Sequence, residues 1–351
     1  MSLISYIKGR GAQANPSNKF LKEQHETRDD FLEYCEKENE ASIEPKTVYR
    51  PIHPKTIVNK IKSPDVKMPY SMNPYQGCEH GCVYCYARNT HEFWGYSAGL
   101  DFEKQILVKH NAAQLLEKKL RSKRWKAETI VLSGNTDCYQ PAEKKFKITR
   151  KCLEVFNRYK HPVGIITKNA LILRDKDILE SLHNDKLVSV HVSVTTLSER
   201  TRRILEPRTA TIKRRLETIR TISEMGIPVN AMLAPIIPGI NSHEILDLAK
   251  AVSEAGASSF AFTIVRLNGA IGQIFSDWIR KTMPDKAEKV LNQVAECHGG
   301  QLNDSRFGLR IRGEGNIAEQ IQNLSALAKR KYFQGRSMPE LNKELYPIYK
   351  K

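Results

Sequence analysis

Short apolar runs alternate with amphipathic stretches through the middle of the chain. Ile130 to Ser133, Val163 to Lys168, Val188 to Val194, Val229 to Pro235 and Phe260 to Arg266 are β-rich and short, so each predicts a strand. A sixth strand is expected just before Cys78. Between these runs, Leu216, Ile219 and Ile222 recur at helical spacing, as do Ile245, Leu248, Ala249 and Val252, and each set lays an apolar stripe along a helix that can cover a sheet. Gly226 and Gly256 stop those helices, and Pro228 follows the first stop closely. Strand followed by helix, repeated, predicts βαβ units and a parallel sheet.

The flanks read differently. Residues 1–65 are polar and charged with scattered Gly and Pro, which predicts an irregular extension wrapped around the core. Residues 66–267 form the βα core, and from Asn268 the repetition fades into a helix-rich cap and basic tail over 268–351, with a loop-like patch at Asn303 to Gly315.

The whole chain has 351 residues and a formal charge of +17, which admits DNA or RNA as partner or substrate and equally admits solvated helix faces. The basic stretches Lys118 to Lys126, Arg200 to Arg203 and Lys213 to Arg215 are candidates for a stripe that contacts phosphates. Met1 to Lys8 carries no secretory pattern, and the most apolar stretch, Val229 to Ile240, is too short and too interrupted by Pro235, Pro238 and Gly239 to span a bilayer. A cytoplasmic protein with no membrane partner is expected.

Three of the seven cysteines fall within eight residues, Cys78-Glu-His-Gly-Cys82-Val-Tyr-Cys85, a spacing of metal ligation rather than of a disulfide framework. Soft thiolates select zinc or iron–sulfur. Zinc needs a fourth ligand, for which His80, His91 or His298 would have to serve, whereas a [4Fe-4S] cluster can use three cysteines and leave one iron open. Cys35, Cys138, Cys152 and Cys297 read as packed or peripheral thiols.

The C-x3-C-x2-C spacing with Tyr84 before its third cysteine resembles the radical S-adenosylmethionine (SAM) superfamily. The run Asn73-Pro-Tyr-Gln-Gly-Cys-Glu-His-Gly-Cys-Val-Tyr-Cys-Tyr-Ala-Arg88 extends the likeness, with Asn135-Thr-Asp-Cys-Tyr-Gln-Pro141, Glu206-Pro-Arg208, Arg312-Gly-Glu-Gly315, Gly9-Arg-Gly-Ala12 and Asn15-Pro16. Together they resemble the bacterial DNA repair photolyase-like proteins, relatives of spore photoproduct lyase.

That resemblance implies a partial (β/α)6 TIM-type barrel, a [4Fe-4S] cluster on Cys78, Cys82 and Cys85, SAM as cofactor, and an external one-electron reductant such as flavodoxin or ferredoxin. It implies SAM contacts from Tyr84, the turn Ser133, Gly134 and Asn135, then Lys168, Ser193 and Ala234. Lys168 also stands out unaided, because it ends an apolar run where an ammonium needs either an anion or a path to water. Cys138 and Tyr139 are candidates for hydrogen donor and radical relay, with packing as the alternative. Asp137, Glu206 and Arg208 are candidates for substrate binding, with a buried salt-bridge network as the alternative. The reaction implied is hydrogen abstraction from a nucleic-acid lesion, lyase-like repair that breaks a carbon–carbon bond. Radical chemistry on a peptide, protein or metabolite is a rival, and a non-enzymatic metal module that binds nucleic acid is another.

Overall fold

A computed structural model describes residues 6–21, 46–66 and 68–348. Its strands are β1 (Val48–Ile52), β2 (Val58–Lys60), β3 (Tyr70–Met72), β4 (Tyr75–Gln76), β5 (Gln105–Lys109), β6 (Ile130–Leu132), β7 (Val163–Thr167), β8 (Val188–Ser193), β9 (Val229–Ile236) and β10 (Ser259–Ile264). The main sheet runs β10-β9-β8-β7-β6-β3-β2. Six of these strands are parallel and follow chain order, so each crossover advances one place, and β2 joins β3 antiparallel at the edge. Strands β3 and β10 do not pair, so the barrel stays open, as expected for a partial barrel. The five predicted runs became β6 to β10, and the strand expected before Cys78 is β3.

Helices Ile148–Arg158, Lys176–Asn184, Ile212–Glu224 and Ile245–Glu254 lie between successive strands. Ile219, Ile222, Ile245, Leu248, Ala249 and Val252 are buried in the principal core beneath the strands, as their spacing requires. Gly226 and Gly256 take φ of 80° and 97°, the left-handed conformation that closes a helix. Beyond β10, helices Ala270–Thr282 and Ala287–Glu296 bring Ile271, Phe275 and Trp278 against Val83 of the cysteine loop and Leu205, forming a second core. The cap therefore backs the site directly.

The extension is less irregular than its composition predicts. Val48, Tyr49 and Ile52 supply enough β propensity for β1 to pair parallel with β5, and Pro51 is tolerated because β1 is an edge strand. Strand β5 was not expected. Its apolar run, Ile106 to Val108, joins β1 and β4 in a separate three-stranded sheet rather than the main one. Cys35 lies outside the described residues. Among the described residues no helix is long and apolar enough to cross a membrane.

Candidate active site

The cysteine loop leaves β4 at the carboxyl end of β3, where a parallel barrel gathers its loops. Gly77 and Gly81, at φ of 78° and 68°, let the backbone curl. The Cys78 N–H donates to the Phe102 carbonyl at 2.8 Å, and the Gly81 and Cys85 N–H groups donate back to Cys78 and Cys82 at 3.4 and 3.3 Å. Cys78 and Cys82 are buried, Cys85 is half-buried, and none is in a disulfide. Burial is the main reason that the Cys78 thiol is pushed up, with Asp137 and the other two cysteines adding to it. The Cys82 thiol is also pushed up, by burial first and then Glu206, although Lys168 pulls the other way. Buried thiols such as Cys78 and Cys82 are costly to ionise unless a metal takes up the charge.

A buried ion pair backs the loop. The Arg88 guanidinium donates to Glu103 at 2.6 Å and to the Cys82 carbonyl at 3.0 Å. Glu103 accepts the N–H groups of Gly11 and Ala12 at 3.2 and 2.8 Å, which straps residues 9–18 across the loop. A Cβ on Gly11 would stand 1.8 Å from the Gly81 carbonyl oxygen, so only glycine fits there.

Two carboxylates brace the inner wall. Asp137 accepts from the Thr167 hydroxyl and from the Lys168 and Tyr139 N–H groups at 2.8 to 2.9 Å, and lies 3.3 Å from His80 Nδ1. Burial opposes its charge, yet the His80 ring and these donors outweigh burial and hold its carboxyl at about 2. Glu206, fully buried, accepts from Tyr84, Thr195 and Arg215. Burial again opposes ionisation, and Arg215 and Lys168 prevail, so its carboxyl also sits at about 2. Arg215 then donates to the Ser193 carbonyl at 3.1 Å, which links β8 to this wall.

The turn after β6 carries Ser133 at φ 73°, rare for a residue with a side chain. Its hydroxyl accepts the Cys138 N–H at 2.7 Å, which holds the turn in that conformation. Gly134 must lack a Cβ, since one would fall 2.4 Å from Ser71 Cβ, and its carbonyl accepts the Tyr86 hydroxyl at 2.7 Å. The Asn135 amide is held by Gln76 and Thr90 at 3.2 and 3.0 Å. Lys168 is half-buried at the end of β7, and its ammonium makes no hydrogen bond or ion pair among the described residues. Burial opposes its charge, but Cys82 and Glu206 outweigh burial and raise its pKa. Ala234 is half-buried near the end of β9, beside the cis Ala234–Pro235 peptide.

A radical SAM superfamily model matches residues 72–252, a span that contains all three loop cysteines and β4 to β9. The chain belongs to the radical SAM superfamily. An uncharacterized protein of Mycobacterium tuberculosis is 33% identical over 234 residues, 66% of this chain and 69% of that protein. Another, from Methanocaldococcus jannaschii, is 27% identical over 245 residues, 70% of this chain and 87% of that one. Among solved structures, spore photoproduct lyase complexed with dinucleoside spore photoproduct has a TM-score of 0.60 at 15% identity and covers 82% of this chain and 80% of that one. That likeness is one of fold.

Radical SAM enzymes use a [4Fe-4S] cluster and SAM, and the donor set here suits such a cluster. Zinc fits poorly. Among the described residues no three His, Cys, Asp or Glu side chains converge as a single ion requires. Two of the three histidines considered for zinc are engaged elsewhere, His80 with Asp137 and His298 with the Val265 carbonyl at 2.7 Å, while the His91 ring packs between Tyr96 and Phe102 with both nitrogens buried and without a hydrogen-bond partner among the described residues.

Most of the remaining candidates sit deeper in the molecule. Cys138 and Tyr139 are fully buried in the principal core, and the Tyr139 hydroxyl donates to Asp175 at 3.0 Å. The Tyr84 hydroxyl donates to Glu206. Asp137 and Glu206 have every carboxylate oxygen engaged, which makes them a buried bracing network rather than substrate ligands. Arg208 alone of the three substrate candidates is exposed. The phosphate stripe is split: Lys118 to Lys126 precedes β6, at the opposite end of the strands from Arg200 to Arg203, while Arg202 and Arg215 are buried. Arg88 and Glu103 were missed, since charge in a sequence does not show burial. The glycine pair Gly9 and Gly11, just before an Asn-Pro, was the available signal of a close backbone approach.

Proposed function

We propose that Cys78, Cys82 and Cys85 hold the [4Fe-4S] cluster and that SAM lies between this loop and the ends of β6 to β9. The carrying observation is the Lys168 ammonium, which makes no hydrogen bond or ion pair among the described residues and whose charge is favoured by Cys82 of the loop. Lys168 would meet the methionine carboxylate, the Ser133–Asn135 turn the amino group, and Ser193 and Ala234 the ribose and adenine. When bound and reduced, the cluster and SAM supply a 5′-deoxyadenosyl radical that takes a hydrogen atom from the substrate.

The chain's own contribution is position. Asp137 and Glu206 keep their charges at neutral pH and so hold the Lys168 backbone and Tyr84 in place. The reading extends to a damaged nucleic acid as substrate, with Arg208 reaching it and a carbon–carbon bond broken. Exposed Arg200, Arg203, Lys213 and Arg214 at the same end of the barrel and the charge of +17 support that extension.

Anaerobic reconstitution tests the core of it. Wild-type protein should bind iron and release 5′-deoxyadenosine from SAM after dithionite reduction, and replacement of all three cysteines by alanine should abolish both. Lys168→Met should keep the iron and weaken SAM binding by about tenfold or more. Iron and cleavage that survive the triple replacement overturn the proposal.

A further inference from the structure

A cavity of about 300 Å³ lies where the loop after β9 meets the cap, with Gly239, His243, Lys286, Lys289, Gln293 and Ile317 in its wall. Its chemistry is one-sided. None of its lining residues is acidic, and among the described residues Lys286 and Lys289 form no ion pair. Glu244, 3.9 Å from His243, is held by the Thr196 hydroxyl and the Leu197 N–H.

Helix termini reinforce the lysines. Residues at or just before the first turns of three helices, Ile245–Glu254, Ala287–Glu296 and Gly315–Tyr332, line this cavity, and none of the three has a side-chain N-cap. Uncapped N-termini carry partial positive charge and spare N–H groups, so three beside one cavity favour an anion. A different observation narrows the anion. The Gln293 side-chain oxygen is buried without a hydrogen-bond partner and would meet a Cβ on Gly239 at 2.7 Å, so a buried acceptor there lacks a donor. A bare anion with no hydrogen offers none, whereas a hydroxyl does.

We propose that this cavity binds a small phosphate monoester that carries free hydroxyls, the phosphate on Lys286 and Lys289 and a hydroxyl on Gln293. The loop that lines the cavity is tied toward the first site, because Asn241 on that loop donates to the Thr195 and Pro235 carbonyls at 2.7 and 3.0 Å. A ligand there would steady the loop beside Ala234. The proposal does not depend on the substrate of the first site.

Calorimetric titration of the full chain at fixed ionic strength, with inorganic sulfate, which carries no hydrogen, and ribose 5-phosphate as probes, tests this. Ribose 5-phosphate should bind at one site per chain and more tightly than sulfate. The Lys286→Ala/Lys289→Ala double variant should weaken it by about tenfold per lysine. Gln293→Leu should erase the margin over sulfate, and Arg280→Ala/Lys281→Ala, which removes equal charge outside the cavity, should change nothing. Displacement by a 5′-phosphorylated oligonucleotide assigns the site to a strand end, and failure to displace assigns it to a free small molecule. No saturable binding, or a lysine double variant that binds like wild type, overturns the inference.

Discussion

Glu206 illustrates how much one buried carboxylate can organise. It gathers Tyr84 from the cysteine loop, Thr195 from the end of β8 and Arg215 from the following helix. Removing its cation alone should be worse than removing both charges, because an isolated buried carboxylate costs more than the pair contributes. Arg215→Met is therefore expected to lose about 3–5 kcal/mol in urea unfolding, and Arg215→Met with Glu206→Gln distinctly less. Acid should destabilise the fold in two stages. Burial holds neutral His161 and His191 at about 4 from an ordinary 6.5, so their contribution is complete above 6.5 and lost as pH falls toward 4. Glu206 and Asp137, lowered to about 2 from 4.5 and 3.8, contribute above those values and lose it as pH falls toward 2. Urea midpoints measured from pH 8 to 2 should show both stages, with His161→Gln shrinking the upper and Glu206→Gln the lower; a single stage that neither variant alters contradicts this. At this scale the sequence disclosed the three cysteines and Lys168, whose residue types are costly without a ligand. It could not separate Arg215, which is interior, from Lys213, which is exposed, since both sit in one basic stretch.

Strands β6 to β8 follow directly from apolar runs, because burial on both faces leaves little room for polar residues, and β9 and β10 read the same way although β10 is half-buried at most of its positions. Strand β5 escaped notice for the opposite reason, as it belongs to a small side sheet whose partners β1 and β4 have no comparable apolar run. The strap of residues 9–18 is irregular, and its place is fixed by single contacts rather than periodicity. Asn18 donates to the Glu92 and Tyr96 carbonyls, Ser97 to the Pro16 carbonyl, and Glu103 accepts from Gly11 and Ala12. Gly11→Ala should lift that strap, since the added methyl has no room against the Gly81 backbone. A loss of roughly 1–3 kcal/mol and faster proteolysis near the N-terminus are expected, together with less iron retained after reconstitution. Unchanged proteolysis and iron content would show that the strap does not support the loop.

Across the whole molecule, positive charge is divided between the two ends of the barrel. Arg200, Arg203 and Lys213 lie at the mouth, whereas Lys118, Lys123 and Arg124 precede β6 at the other end. If nucleic acid is drawn to the mouth as proposed, alanine at the first trio should weaken binding and flatten the slope of log affinity against log salt by roughly 0.9 for each phosphate no longer neutralised. The second trio should leave both nearly unchanged, and equal effects from the two would remove the mouth from the account. The net charge of +17 suggested a polyanion without saying where it would lie, because only folding assigns charges to ends. The strap also bears on the order of assembly during synthesis. Gly11 and Ala12 emerge from the ribosome long before Arg88 and Glu103 exist to receive them, and a contact spanning some ninety residues forms late. A stretch made well before its partner is thus among the last to settle, and until it does the metal-binding loop is left without its backing.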